Sequence, residues 1–282
     1  MSTIPVRRIP FIIYGTAGKQ HQTQALIRQA VSAGFRAFDT AAQPKSYAED
    51  QLGISLQEAV RNRVLTRNEL WVQTKFTPLH DQDPTRLPYN SDDPLAAQVE
   101  RSIRCSVQHL SMGMPKPHVD ALLLHSPYED QKDTELVWNT LSTHAPQSAR
   151  MLGVSNMTFE QVSQLHQDTK IKPSIVQNRF CADNGYDQRL RLYCRDKDIA
   201  YQCYGVLNDN DHLLQDSPVQ DLSSSAGIQP EAALYTLIAL GLNVSVLIGT
   251  TSATRMKDDL AALEIRQSRL NTILFQWAFF SP

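Results

Sequence analysis

The chain has 282 residues, of which 41% are hydrophobic and 20% are charged, so it can bury a sizeable core. Its formal net charge is -2 and its lysines and arginines are scattered, which excludes the basic surface of a nucleic-acid-binding protein. No apolar stretch is as long as a transmembrane helix, and the N-terminal run is too short and proline-rich for a signal peptide. We expect one cytoplasmic domain over residues 1–282, a monomer or weak homo-oligomer, without nucleic-acid or membrane partners.

The four cysteines predict no metal site. They form no CxxC pair and no cysteine–histidine set with the spacing of zinc ligands. We expect them to be reduced, partly buried thiols. They are Cys105, Cys181, Cys194 and Cys203.

Eight short apolar runs alternate with longer amphipathic stretches along the chain. Most of the runs lack strict alternation of apolar and polar residues, which is typical of strands buried on both faces of a parallel sheet. Eight strand–helix units predict an α/β fold, a (β/α)8 TIM barrel. The predicted strands are Phe11–Gly15, Phe35–Asp39, Leu70–Lys75, Asp120–His125, Met151–Ser155, Ser174–Gln177, Ile199–Tyr204 and Val244–Gly249.

The stretches between the strands carry helical periodicity and helix-end signals. Thr158 and Gln161 predict a capping box, and Asp187 is expected to cap the helix that follows it. Two polar loops are predicted, at residues 77–93 and 208–227, and the first is expected to cover the catalytic face. The predicted helices are Thr23–Ala33, a helix from Pro94 to Leu110, one after Thr158, Gln188–Lys197, Glu231–Leu240 and Ser252–Leu263.

Each of the eight runs ends in a polar, aromatic or glycine residue. In a barrel of parallel strands, all strand ends of one polarity meet at one face, and that face carries the chemistry. Asp39, Lys75 and His125 each close a run, and Tyr47 follows Asp39 across a short loop. An acid, an amine, an imidazole and a phenol gathered there predict a proton-transfer site.

No G-x-G-x-x-G or G-x-x-x-x-G-K motif follows any predicted strand, so a nucleotide must be held in another way. From about Phe11 to about Leu263 the chain resembles the aldo-keto reductases. The motifs that carry the resemblance, in the order of that family, are AGFRAFDTA, LWVQTKF, DALLLHSP, LGVSN, PSIVQN and GTTSATRMKDDL. The resemblance implies a (β/α)8 barrel that binds NAD(P)H across its strand ends.

The resemblance also implies that Asp39, Tyr47, Lys75 and His125 form a catalytic tetrad. A Lys75 ammonium beside Tyr47 would lower the phenol pKa from its usual value near 10, and Asp39 would keep that lysine charged. His125 would hydrogen-bond the substrate carbonyl oxygen. Tyr47 would be the general acid in reduction, with its hydroxyl within hydrogen-bond reach of Lys75.

Tyr47 lies about three residues later than in the commonest pattern of the family. The longer DTA-x-QPK-x-Y form resembles a fungal-type branch, so Tyr47 stays the expected acid. Lys45, two residues before it, is expected to face solvent, and contact with the substrate is the alternative.

The cofactor positions follow from the same resemblance. Ser155, Asn156 and Gln177 would hydrogen-bond the nicotinamide carboxamide, and Tyr204 would stack beneath the nicotinamide ring. Arg255 would meet the adenosine 2′-phosphate, which favours NADP(H) over NAD(H). The full implied set is Thr16, Asp39, Ser155, Asn156, Gln177, Tyr204, Gly249, Thr250, Arg255 and Asp259.

Three departures from the family pattern bear on binding. Gly249 stands where many members have lysine, which removes one cation from the 2′-phosphate site. Asp259 replaces an asparagine that contacts adenine, and a carboxylate cannot donate as an amide does. Ala17 and Gly18 stand where many members have a tryptophan, which predicts a wider or differently shaped substrate pocket.

These residues predict an NADPH-dependent oxidoreductase that reduces an aldehyde or ketone of a small or medium organic molecule. One alternative is a lyase or isomerase barrel with Lys75 as a Schiff-base amine, although a lysine paired with Asp39 stays protonated. The other is a non-catalytic NADPH-binding sensor or regulatory barrel, against which the intact tetrad argues.

Overall fold

The computed structural model describes residues 9–265, and the N-terminal and C-terminal ends of the predicted 1–282 domain lie outside this range. Eight parallel strands form a closed barrel in chain order, and the eighth pairs with the first. The predicted (β/α)8 barrel is therefore confirmed, and each of the eight apolar runs forms one strand. The strands are β1 (Ile12–Gly15), β2 (Ala37–Asp39), β3 (Trp71–Phe76), β4 (Val119–Leu124), β5 (Ala149–Ser155), β6 (Ile175–Arg179), β7 (Ala200–Tyr204) and β8 (Ser245–Ile248).

Helices surround the barrel, and several begin or end where the sequence predicts. The first helix ends at Gly34, whose φ of 116° is left-handed and whose N–H bonds back to the carbonyls of Ala30 and Val31. The capping box of Thr158 and Gln161 is present. The helices are α1 (Thr23–Ala33), α2 (Glu49–Arg61), α3 (Leu95–His109), α4 (Gln131–Ser142), α5 (Phe159–Asp168), α6 (Gln188–Asp196), α7 (Ser217–Ala226), α8 (Pro230–Thr236) and α9 (Ala253–Ala261).

Two local predictions are wrong. Asp187 precedes α6 but does not cap it, because its carboxylate accepts hydrogen bonds from Asn178 and Tyr201 instead. Residues 208–227 are not one loop: they contain a 3-10 helix and then α7. The predicted pattern missed α7 because its apolar stripe is short, with Val219 and Leu222 as its buried residues besides a proline.

The barrel interior changes from apolar to polar toward the carboxyl ends of the strands. Successive residues of a strand point to opposite faces, so Trp71, Gln73 and Lys75 of β3 share one face. Trp71 belongs to a small buried apolar cluster, and its Nε1 donates to Gln73 Oε1 at 2.9 Å. Lys75 lies two residues after Gln73 on the same face of β3. The inward-facing residues of this strand therefore change from an apolar side chain at Trp71 to a charged one at Lys75.

The middle layer of the barrel is a buried glutamine network. Gln73 Nε2 donates to Asp39 Oδ1 at 2.7 Å and to Gln202 Oε1 at 2.8 Å. Gln177 Nε2 makes the corresponding bonds, at 3.1 Å to Asp39 and 2.9 Å to Gln202. A satisfied buried network of this kind is rigid and fixes the carboxylate that it contacts.

Outside the barrel, a second apolar layer packs the strands against the helices, and large side chains such as Phe38 and Trp138 are fully buried there. No helix within residues 9–265 combines the length and the apolar character needed to cross a membrane.

Candidate active site

Asp39 and Lys75 form a buried ion pair at the carboxyl ends of β2 and β3. The Lys75 ammonium donates to both carboxylate oxygens, at 2.7 and 2.6 Å, and to the Thr40 carbonyl oxygen at 3.0 Å. The Lys75 side chain is 1% exposed and the Asp39 side chain is 3% exposed. An ammonium has three N–H donors, and all three are used in these bonds.

The loop after β2 folds into a compact turn that absorbs the residues inserted before Tyr47. The amides of Ser46 and Tyr47 both bond to the Gln43 carbonyl, at 3.0 and 2.9 Å. The turn is held on one side by Gly18, whose amide bonds to the Ser46 carbonyl at 2.8 Å. On the other side the Gln43 side chain donates to the Asp81 carbonyl at 2.9 Å, so the loop at residues 77–93 braces the turn.

The turn carries Tyr47 to the strand ends beside the other three predicted residues. Its ring centroid lies 6.0 Å from that of His125 in an edge-to-face arrangement, and Lys75 Nζ lies 5.6 Å from the ring centroid. The Tyr47 hydroxyl makes no hydrogen bond to the described part of the chain. The predicted bond to Lys75 is absent because the three donors of that ammonium are already used by Asp39 and Thr40.

The pKa of Tyr47 is shifted in the direction opposite to the one predicted. Burial raises the pKa of the phenol, and the negative charge of Asp39 and the neighbouring Tyr204 raise it further. Asp39 balances the charge of Lys75 at short range, so little net positive field is left to favour a phenolate. Tyr47 is therefore protonated throughout the neutral pH range, as a proton donor must be.

His125 is neutral and has a defined tautomer. Burial and the charges of Lys75 and Lys45 lower its pKa to about 3. Thr77 Oγ1 lies 2.7 Å from His125 Nδ1 and has no other partner within residues 9–265. The hydroxyl therefore donates to Nδ1, and the ring proton lies on Nε2, where it can be donated to a ligand. Lys45 is exposed, as predicted.

A cleft of about 610 Å³ opens over these residues at the carboxyl ends of the strands. It contains most of the predicted site. Two predicted residues do not line the cleft. Lys75 lies behind Asp39, and Thr16 is fully buried, with its hydroxyl donating to the Asp39 carbonyl at 2.9 Å. The predicted residues that line the cleft are Asp39, Tyr47, His125, Ser155, Asn156, Gln177, Tyr204, Gly249, Thr250, Arg255 and Asp259.

Residues 12–273 match the Aldo/keto reductase family. The chain belongs to the aldo-keto reductases. Among its relatives, D-galacturonate reductase of Fragaria ananassa is 24% identical, and the alignment covers 90% of this chain and 82% of that protein. Aldo-keto reductase family 1 member A1 of Gallus gallus is 25% identical over 98% of this chain and 89% of its own length. The aldose reductase structure of Schistosoma japonicum has the same fold, with a TM-score of 0.75 and 17% identity, covering 96% of this chain and 89% of that chain.

Aldo-keto reductases use NAD(P)H, and the cleft contains polar groups that fit a carboxamide. Ser155 Oγ is buried and has no hydrogen-bond partner, although buried hydroxyls are normally paired. Gln177 uses its Nε2 on Asp39 and Gln202, which leaves its Oε1 to accept from an amide N–H. The unpaired Ser155 hydroxyl is the clearest sign that a ligand completes this part of the cleft.

Asn156 and Tyr204 hold one another at the same end of the cleft. The Tyr204 hydroxyl donates to Asn156 Oδ1, and Asn156 Nδ2 donates to the His125 carbonyl at 2.8 Å. The left-handed backbone of Asn156, with φ of 57°, is a conformation that asparagine tolerates well. Asn156 therefore has one amide N–H left for a ligand, and it also fixes the tyrosine ring.

The far end of the cleft, at β8 and α9, contains both cations and carboxylates. Arg255 lies 3.9 Å from Glu231, a residue near the start of α8. Asp259 is buried, and burial with the nearby charges of Asp258 and Glu231 raises its pKa to about 7. The raised pKa favours the protonated carboxyl, which can donate a hydrogen bond, whereas the carboxylate considered in the sequence analysis cannot.

Sequence reasoning missed three charged residues of the cleft wall. They are Lys19, Arg179 and Glu231. Arg179 closes β6 two positions after Gln177, the predicted end of that strand, and Glu231 directly follows a helix-starting proline, so both had a positional signal. Lys19 follows the Ala17–Gly18 departure, and nothing local in the sequence indicates that it reaches the end of β8.

Proposed function

We propose that this protein is an NADPH-dependent reductase of aldehydes or ketones of small or medium organic molecules. The observation that carries the proposal is the convergence of Tyr47 and His125 on one wall of the cleft, with the Asp39–Lys75 pair directly behind them. A protonated phenol and a neutral imidazole N–H suit a carbonyl oxygen that gains negative charge. The location in the cytoplasm and the oligomeric state stay predictions.

The bound nicotinamide supplies the hydride. His125 donates a hydrogen bond from Nε2 and orients the carbonyl oxygen, while Thr77 holds the imidazole in the required tautomer. Tyr47 donates its hydroxyl proton to the same oxygen as negative charge develops there. The Asp39–Lys75 pair fixes the floor beneath Tyr47, and the glutamine network holds Asp39 in place.

Two alternatives receive less support. A Schiff-base enzyme needs a neutral, accessible amine, whereas the Lys75 ammonium is 1% exposed and donates three hydrogen bonds. A sensor barrel needs no proton donor, whereas Tyr47 is held by a turn that is braced from two sides. The carbonyl reductase is therefore the proposal that uses all four residues.

The direct test combines binding with turnover. NADPH fluorescence is titrated with the purified protein, and loss of absorbance at the nicotinamide band is then followed with a panel of aldehydes and ketones. We expect binding in the micromolar range, as is usual for such a cofactor, and oxidation of NADPH that depends on the carbonyl compound. Binding without turnover of any carbonyl would favour the sensor, and absence of binding would sink the proposal.

Asp259 makes a pH dependence of cofactor affinity testable. As the pH rises through about 7, the carboxyl loses its proton and adds a negative charge to the end of the cleft that holds Arg255. We expect the wild-type dissociation constant for NADPH, divided by that of Asp259→Asn, to rise about threefold to tenfold from pH 6 to pH 8. Asp259→Asn should bind more tightly than the wild type at pH 8 and should keep only the pH dependence of the ligand itself. Equal pH profiles for the two proteins would contradict this role of Asp259.

A further inference from the structure

Lys19 is a cation of the cleft wall that takes no part in the proposed carbonyl reduction. It lies in the turn between β1 and α1, and its ammonium donates to the Gly249 carbonyl oxygen at the end of β8. Within residues 9–265 it has no ion-pair partner, and it is half-buried, so that burial lowers its pKa. One of its three N–H donors is used on Gly249, which leaves two for a ligand.

The backbone around Lys19 is shaped to bring it to β8. The residues before and after the lysine have left-handed backbone conformations, with φ of 70° at Gly18 and 44° at Gln20, so the chain turns at both positions. The Gly18 amide is tied to the Tyr47 turn at 2.8 Å, and the Lys19 amide bonds back to the Thr16 carbonyl at 3.3 Å. A left-handed φ is costly for most side chains, which accounts for glycine at position 18.

The Lys19 ammonium lies in van der Waals contact with the point at which a side chain of residue 249 would begin. A Cβ atom added to Gly249 would lie 3.6 Å from Lys19 Nζ and 3.8 Å from Lys19 Cε. A lysine reaching this spot from β1 therefore occupies the space that a side chain from β8 would enter. Thr250, which follows Gly249 in the chain, and Arg255, whose charge is partly balanced by Glu231, line the same cleft as Lys19.

We propose that Lys19 is a phosphate-binding residue, and that Lys19 and Arg255 together bind the 2′-phosphate of NADPH. The inference rests on the proposed use of NADPH, and it names Lys19 as the residue that makes the protein bind NADPH more tightly than NADH. A dianionic phosphate matches an unpaired ammonium with two free donors better than it matches Arg255 alone, which already faces a carboxylate. Lys19 then compensates for the lysine that Gly249 replaces, so the small residues at 18 and 249 belong to one arrangement.

The experiment measures dissociation constants rather than turnover. The ligands are NADPH, NADH, adenosine 2′,5′-bisphosphate and adenosine 5′-monophosphate, and binding is followed by calorimetry. Lys19→Ala should weaken NADPH and the bisphosphate by about tenfold or more, and the two ligands without a 2′-phosphate by less than about twofold. The matched control is Lys257→Ala, which removes one exposed cation close to Arg255 that does not line the cleft, and should change neither class of ligand.

A relocation variant separates the charge from the fold. Gly249 has an ordinary φ, and a Cβ there meets no atom closer than 3.6 Å, so Gly249→Lys introduces no backbone strain. In the Lys19→Ala background, this second change should restore most of the affinity for the 2′-phosphate ligands. Thermal unfolding of each variant checks that the fold is kept.

The outcomes are distinguishable. If the wild type binds NADPH and Lys19→Ala weakens NADPH and NADH equally, the ammonium does not bind the 2′-phosphate and the inference is wrong. It is also wrong if Lys19→Ala leaves both affinities unchanged. If the wild type binds neither cofactor, the proposed function itself fails, and this inference fails with it.

Discussion

Tyr47→Phe is expected to lower kcat for carbonyl reduction by about 10²–10⁴-fold while leaving the NADPH dissociation constant within about twofold. The change removes one hydroxyl, which has no hydrogen-bond partner in the described part of the chain, so no structural contact is lost. The ring keeps its place against His125 and near Lys75. Stopped-flow or steady-state rates, with a separate cofactor titration, give the two quantities independently.

The control for this change is Tyr193→Phe, which removes a phenol hydroxyl from α6, away from the cleft. It should alter neither kcat nor cofactor affinity. A Tyr47→Phe protein that retains full turnover would show that another group supplies the proton, and His125 would be the first candidate. If the wild type binds NADPH without turnover and Tyr47→Phe behaves identically, the sensor alternative is favoured.

The carboxyl ends of the strands could be predicted from the sequence because the strands of a parallel barrel are largely apolar along their length. Each apolar run has to be buried on both faces, so the first polar residue after it marks the carboxyl end of the strand. This reasoning places Asp39, His125 and Gln177 correctly, and the alternation of β3 accounts for Lys75. These positions depend on local patterns, which a single sequence carries.

The electrostatics of the site were not predictable in the same way. Whether Lys75 lowers the pKa of Tyr47 depends on where its three donors point, and that is decided by Asp39 and the Thr40 carbonyl. The raised pKa of Asp259 comes first from burial, and then from the charges of Asp258 and of Glu231, which lies on another helix. Contacts between elements far apart in the chain leave no periodic signal, so the structure was needed to find them.

The same limit explains why Lys19 was overlooked. In the sequence Lys19 follows Gly18, a pattern that is typical of a solvated lysine in a loop. Its contact with Gly249 joins β1 to β8, the two strands whose pairing closes the barrel. Only closure of the barrel brings the first and last strand ends together, and the end of the cleft that we propose for the 2′-phosphate lies where those two strands pair.

Lys75→Met is expected to lower the free energy of unfolding by about 3–5 kcal/mol, the usual cost of removing one partner from a buried ion pair. The Asp39 carboxylate would then be buried with only the amide donors of Gln73 and Gln177. Urea denaturation followed by circular dichroism gives the change, and Lys257→Met, an exposed lysine, should have little effect. Turnover should fall as well, because the floor beneath Tyr47 is disturbed.

The double variant Asp39→Asn with Lys75→Met decides what the pair contributes. It removes both charges, while an asparagine oxygen can still accept from the two glutamines. If the loss in Lys75→Met comes from an unpaired buried carboxylate, the double variant is more stable than the single one. If the double variant is the less stable, the Asp39 carboxylate stabilises the barrel through its bonds to Gln73 and Gln177 even without Lys75. Neither the single nor the double variant keeps the Lys75 charge, so turnover should be low in both. A difference in stability between them at equally low turnover would separate the structural role of the pair from its role beside Tyr47.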